Sequence, residues 1–343
     1  MQSIGVEDKY SMRVNQDYIY RGIGKDVEKG MGIDEQLAIA GLDWEPISDS
    51  FFYGDGKKSE ELTIVYRSDN EQELTNAFKG WKPYGNKQFL RGFNTFCDTN
   101  GLEVERVGYL SRHKMAFAAA KIPKELGGVF MLDVDEVIES RIIFHNYHRY
   151  GAGMGCKILA TRLICSNGMT AQVDESQFKL KHIASHSKDS KIAESLEGLK
   201  KPLVKLKEDL NLLTEIPMSP NEALDFLSKH FGKSGAEPKD QPRIVQTCFD
   251  IFQGNYDSML ENIGINLGMS TFAAYHTAYG LLQSVTAYRN HFCGGTQGME
   301  GALSSLWHGE SAKIQQRAYS SLVDYSQKRR ERDRRVSVGV RGF

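Results

Sequence analysis

The sequence predicts an α+β fold, an antiparallel β-sheet core of long strands packed by helices, with a helical C-terminal half. Three observations predict it. Residues 102–165 carry three long runs in which apolar and polar residues alternate, the period-two signature of strands. Just before them, Phe89, Phe93 and Phe96 recur at helical spacing. Beyond Lys188, leucines at 196, 199, 203, 206, 210 and 213 follow a three-four spacing.

Taken in order, residues 1–55 read as an N-terminal arm with one short helix. Asp34 caps that helix, which runs over Glu35–Ala40 until Gly41 ends it. A polar linker with Gly54 and Gly56 follows Trp44. Residues 56–187 read as the α+β core. In it Leu62–Arg67 is a strand, and residues 86–100 form a helix that Asn100-Gly101 stops. The aromatic stripe of that helix is a core stripe. Residues 102–122 read as one long β segment, Gly127-Gly128 as a turn, Val137–Tyr150 as a second segment and Cys156–Cys165 as a third.

Parity along these segments sorts their faces. Val107, Tyr109, Met115, Phe117 and Ala119 fall together, opposite Arg106, Leu110, Arg112 and Lys114. In the second segment Ile138, Ile142 and Phe144 oppose Glu139, Arg141, His145, Tyr147 and Arg149. Lys157 and Arg162 of the third have opposite parity. One side of such a sheet packs on helices and leaves a basic side outward.

Residues 188–242 read as helix and linker. A leucine-lined helix over 195–213 gives way to Pro217 and Pro220, Asn221 caps a short helix to Phe231, and 232–242 is a loop. Residues 243–330 are helical over 243–253, 271–292 and 310–329, and 331–343 form a basic tail.

Composition narrows the class. Hydrophobic content of 40% is enough for a core, and no run is long enough to span a bilayer. The first residues carry no apolar run after a basic start, so no secretory signal is expected. Five scattered cysteines without zinc-ligand spacing predict reduced thiols, a cytoplasmic setting and no metal. Charge is uneven: residues 1–60 hold 12 acids against 7 bases, and residues 313–343 hold 9 bases against 3 acids. An acidic arm and a basic tail favour head-to-tail homo-oligomers or contact with a polyanion.

Four constellations carry candidate chemistry. Tyr150-Gly-Ala-Gly-Met-Gly155 resembles a phosphate loop, but a β-like run follows it where a helix is required, so it reads as a hairpin turn. His145 and His148 point to opposite sides of a strand, and His182 and His186 lack an acidic partner, so no metal site is assigned. Cys165-Ser166-Asn167-Gly168 with His182 downstream leaves a Cys–His dyad open as an enzymatic alternative. The basic strand faces are the fourth. Arg112, Lys114, Arg141, His145, Tyr147, Arg149, Lys157, Arg162, Lys179 and Lys181 could line a groove that tracks a nucleic-acid backbone, with Tyr147 or Tyr150 for stacking. Against it, residues 101–190 hold 12 bases and 10 acids, a balance that a solvated mixed-charge sheet also produces.

Several motifs occur in a fixed order: AIAGLDWEP (38–46), VYRSDN (65–70), GYLSRHKMAFAAAKI (108–122), TRLICSNGM (161–169), LKHIASHS (180–187) and HTAYGLLQSVTAYRNHF (276–292). Together they resemble the phage- and plasmid-associated family known as domain of unknown function 932. The chain departs from the family pattern at Lys181-His182-Ile183, where an Arg-His-Thr type of motif is usual. The resemblance implies a mobile-element context and names no catalytic residue. The order of helix, long antiparallel strands and helices is also similar in architecture to the single-strand annealing recombinases that include lambda Red beta.

The expected function is therefore single-stranded DNA binding and strand annealing in phage recombination or replication, by a homo-oligomer, without cofactor, membrane contact or chemical step. RNA in place of DNA stays open. The alternatives are a nucleic-acid or nucleotide-processing enzyme using the Cys165/His182 region, and a phage structural or host-interaction protein. On the expected reading, replacing Arg141 and Arg149 weakens binding without unfolding the protein.

Overall fold

The computed structural model describes residues 19–162, 168–171, 197–255, 276–292 and 298–340. The fold is α+β, with antiparallel sheets and a helical C-terminal half. Strand β1 (Lys25–Asp26) and helix α1 (Ile33–Ala40) open it. Gly41 ends α1 in the left-handed region, as its sequence position predicts. The residue before the helix is Gly32, whose N–H donates to Glu35, so Asp34 lies in the first turn and is not the cap.

The polar linker folds differently from its reading. Strand β2 (Pro46–Phe52) turns at Gly54–Gly56 and pairs with β3 (Lys58–Arg67), which pairs with β4 (Glu73–Phe78) in a three-stranded sheet. Helix α2 (Asn86–Asn100) then buries Phe89, Phe93 and Phe96, and Gly101 ends it.

The main sheet has the order β1, β5 (Glu103–Leu110), β6 (Met115–Lys121), β8 (Val137–Tyr147), β9 (Met154–Arg162) and β10 (Gly168–Ala171), with β7 (Val129–Met131) beside β8. The single long segment expected over 102–122 is the hairpin of β5 and β6. The turn between β8 and β9 contains Gly151 with φ +81°, so the glycine run is a hairpin turn, as expected.

The hairpin turn at 111–114 resets the parity. Leu110 pairs with Met115, so they share a face, and Val107 and Tyr109 lie opposite Ala118 and Ala116 on the other. Both faces are covered. Against one, Ala116, Ala118, Ile142, Phe144, Cys156 and Ile158 pack on the phenylalanines of α2. Phe144 lies 5.0 Å from Phe93 and 4.9 Å from Phe96 between ring centroids. Against the other, Met115, Phe117, Ala119, Ile143 and Leu159 pack with Tyr20, Leu303, Leu306 and Trp307. The last three belong to a helix over Gly298–His308 that the sequence reading does not contain.

Among the described residues six α-helices make up the C-terminal half, and all but the Gly298–His308 helix, which packs on the sheet, share a separate core. The six are α3 (Glu197–Glu215), α4 (Pro220–Phe231), α5 (Arg243–Phe252), α6 (Ala278–Ala287), the Gly298–His308 helix as α7, and α8 (Glu310–Val340). Leu206, Leu210, Leu213, Phe226, Leu227, Ile251, Phe252, Leu282 and Leu322 meet Phe130 and Ile138 from the sheet. The cap of α4 is Ser219, in a capping box with Glu222, and Asn221 sits inside the helix. The basic tail is no separate arm, because α8 runs on through it to Val340.

Candidate nucleic-acid interface

The basic strand face lies largely inside the molecule. Arg141 is fully buried. Its Nε donates to Glu105 at 2.8 Å, one Nη to Glu139 and the other Nη to the Thr161 hydroxyl at 2.9 Å. Burial opposes the Arg141 charge, but Glu105, Tyr20 and Glu139 outweigh it and hold the guanidinium protonated. Lys157 is also buried, and its Nζ donates at 2.7 Å to the Trp307 carbonyl in the last turn of α7. His145 and His308 lie 4.4 Å apart between ring centroids, with Tyr147 5.5 and 5.7 Å from them. Burial first, then the charges of His145, Lys157, His113 and Arg149, hold His308 well below its ordinary range.

These positions correct the reading of an open groove. Arg141 and His145 share a sheet face as parity predicts, and strand pairing adds Lys157 to it, but that face carries α7 and an internal ion pair. Helix α7 was legible in principle, since Leu303, Leu306 and Trp307 fall at three-four spacing.

What remains outward is one end of the sheet. Met115 pairs with Tyr147, and His148 N–H donates to the Lys114 carbonyl at 2.7 Å. The β5–β6 turn and the β8–β9 turn therefore sit side by side. Arg112 and Arg149 are exposed on them. Lys114 is part-buried, with φ +50°, and its ammonium donates to the Leu74 carbonyl. The Arg149 guanidinium lies 5.0 Å from the Tyr147 ring centroid. Two charges on the turns, Arg149 and Arg112, also act on His113. Burial is the largest influence lowering its pKa, and Glu300 opposes it.

The small sheet brings aromatic rings to the same place. Tyr150 N–H donates to the Thr75 hydroxyl at 3.1 Å, anchoring the turn on β4. The Tyr150 ring is then 5.8 Å from Phe78 and 6.1 Å from Trp81. Tyr150 is 45% exposed and Phe78 51%. Lys79 and Lys82 are exposed beside them. Sequence reasoning missed Phe78 and Trp81, although Phe78-Lys79-Gly80-Trp81-Lys82 interleaves rings with cations in the manner of single-strand binders.

Arg162 ends β9, and its side chain lies outside the described residues, as do Cys165, Lys179, Lys181 and His182. Among the described residues no group of three His, Cys, Asp or Glu side chains could hold a metal ion. Cys97, Cys156 and Cys248 are buried, and burial raises the Cys97 and Cys156 thiols beyond the ordinary range.

The sequence motifs have structural work. The Arg67 guanidinium stacks 4.4 Å from the Trp44 ring centroid while pairing with Asp69 at 2.7 Å. Ser68 and Glu45 exchange two hydrogen bonds of 2.9 Å. The Glu45 carboxylate in turn accepts from the first N–H groups of α2, at Asn86 and Lys87. These contacts clamp the small sheet to α2, which packs on the main sheet. In the TAYGLL helix, Tyr279 donates to the buried Glu136 at 2.6 Å.

A model of the family described as Domain of unknown function (DUF932) matches residues 74–332, and the chain belongs to that family. No curated protein and no solved structure matches it. No helix of the described residues is long and apolar enough to cross a membrane.

Proposed function

We propose that this member of the family binds single-stranded DNA and brings complementary strands together, without a chemical step. One observation carries the reading. The exposed rings of Phe78 and Tyr150, with Trp81 beside them, share one end of the sheet with Arg149, Arg112, Lys79 and Lys82. Rings of this kind stack on any base, and cations beside them neutralise phosphates. Binding of that type is tolerant of sequence and reversible, as annealing requires. The protein would act as a homo-oligomer in the cytoplasm of a phage-infected or plasmid-bearing bacterium, with RNA strands as a second possible ligand.

The test is fluorescence anisotropy with labelled single-stranded DNA, duplex DNA and RNA over a salt series, beside mass photometry and a strand-annealing assay. Preferential single-strand binding that weakens with salt, together with faster annealing, supports the reading. Absence of single-strand binding at low salt overturns it.

A protein-contact role is the second reading. Ile47, Phe52, Tyr53 and Phe78 are exposed apolar side chains of the small sheet. On that reading the oligonucleotide assays stay negative. An enzymatic role for Cys165 and His182 predicts turnover that Cys165→Ala or His182→Ala abolishes.

A further inference from the structure

The β5–β6 turn already holds an anion, and it belongs to the chain itself. Glu300 stands in the first turn of α7, and its carboxylate reaches across to this turn. One oxygen accepts from the Arg112 backbone N–H at 2.9 Å. The other accepts from the Ser111 hydroxyl at 3.3 Å. The turn is closed by its own backbone, with His113 N–H on the Leu110 carbonyl and Lys114 N–H on the Ser111 carbonyl, each at 3.2 Å. The Lys114 ammonium ties it to β4. The turn backbone is thus held by contacts other than the carboxylate.

We propose that this turn is a phosphate subsite of the strand-binding surface, occupied in the free protein by the Glu300 carboxylate and taken over by a phosphodiester of the bound strand. The proposal rests on the single-strand reading and deepens it. A carboxylate and a phosphodiester are both monoanions offering two acceptor oxygens, so the same N–H and O–H donors serve either. The cations beside the turn, Arg112 and Arg149, serve a phosphodiester there as they serve the carboxylate. Ser111 and Arg112 are exposed, and Glu300 is only half-buried, so side-chain rotation releases the carboxylate into water without uncovering a core. The 3.3 Å bond to Ser111 is a long one for two oxygens and holds Glu300 weakly. The turn also adjoins Tyr147, Arg149 and Tyr150, so a strand stacked on the rings passes over it.

The experiment compares the full chain with its Glu300→Gln variant for binding of labelled oligothymidylate across a salt series. Removing the competing carboxylate should tighten binding about two- to fivefold, the scale of one exposed charge contact. It should also steepen the salt slope by about 0.7 where the phosphate contact was incomplete. Adding Ser111→Ala to Glu300→Gln should erase the gain. An affinity that is unchanged or lower in Glu300→Gln, with an unchanged melting temperature, overturns the proposal. A lowered melting temperature would leave the comparison in doubt, so a second measurement uses the unaltered protein. The Arg112 amide resonance should move when oligonucleotide is added, and the His113 ring should titrate at higher pH in the complex. Binding with both signals unmoved overturns the subsite but leaves the single-strand reading standing. No binding by either protein overturns both.

Discussion

Glu105 and Arg141 form a buried ion pair, Oε2 to Nε 2.8 Å, between strands that are not neighbours. Strand β6 lies between them. The pairing becomes possible because the β5–β6 register shifts between Val104 and Arg106, a bulge that leaves Glu105 out of the ladder and re-aims it. Tyr20 donates to the same carboxylate at 2.9 Å, and burial, then Glu105, raises the Tyr20 pKa well above its usual range. Arg141→Ala should therefore destabilise the fold by about 3–5 kcal/mol, since it strands a buried carboxylate. Urea denaturation measures this. Combining Arg141→Met with Glu105→Gln should recover part of the loss. A soluble Arg141→Ala protein of unchanged stability would mean that Glu105 finds water or another partner.

Phe144 closes the opposite face of the sheet. Between Phe93 and Phe96 it is 5% exposed. Its truncation to Ala should cost about 3–5 kcal/mol, with the cavity between sheet and α2 as the cause. The same denaturation series provides the comparison, and a loss below about 1 kcal/mol would mean that the site collapses around the gap.

Stacking and charge should separate by variant. Tyr150→Ala is expected to weaken single-strand binding by about 1–3 kcal/mol and leave the salt slope intact. Arg149→Ala should instead make the slope shallower by about 0.7, the share of one single-strand phosphate. Anisotropy over a salt series reads both. If neither substitution moves affinity while both proteins stay folded, the sheet end is not the binding surface.

The imidazole pair predicts a pH response. His308 titrates well below 6.5 in the folded protein. As pH falls through about 6.5, the unfolded chain takes up this proton while the folded chain does not. Stability is thus full above that pH and declines below it, until the folded value is reached. The slope contributed by one such group approaches about 1.4 kcal/mol per pH unit. His113 and His230, also lowered, act in the same direction. Thermal melts between pH 5 and 8 should show His308→Asn flattening this dependence, and an unaltered profile would count against the His145–His308 contact.

By itself the sequence determined the local elements. Phe89, Phe93 and Phe96 specified α2 and its buried stripe, Gly101 its stop, Gly41 the stop of α1, and the glycines after Tyr150 a hairpin turn. Alternation in 137–147 correctly set Phe144 apart from Arg141, because strand periodicity is a property of adjacent residues. It also grouped Arg141 and His145 on one face. Only the tertiary structure decided what that face meets. Helix α7, from more than a hundred residues downstream, covers it with Trp307. A bulge at Glu105 neutralises Arg141, and a four-residue turn reverses the parity between β5 and β6. The ring cluster of Phe78, Trp81 and Tyr150 likewise joins two segments some seventy residues apart. Periodicity reports which residues share a side. It carries no information on which distant segment buries that side, because that depends on contacts between elements remote in the chain.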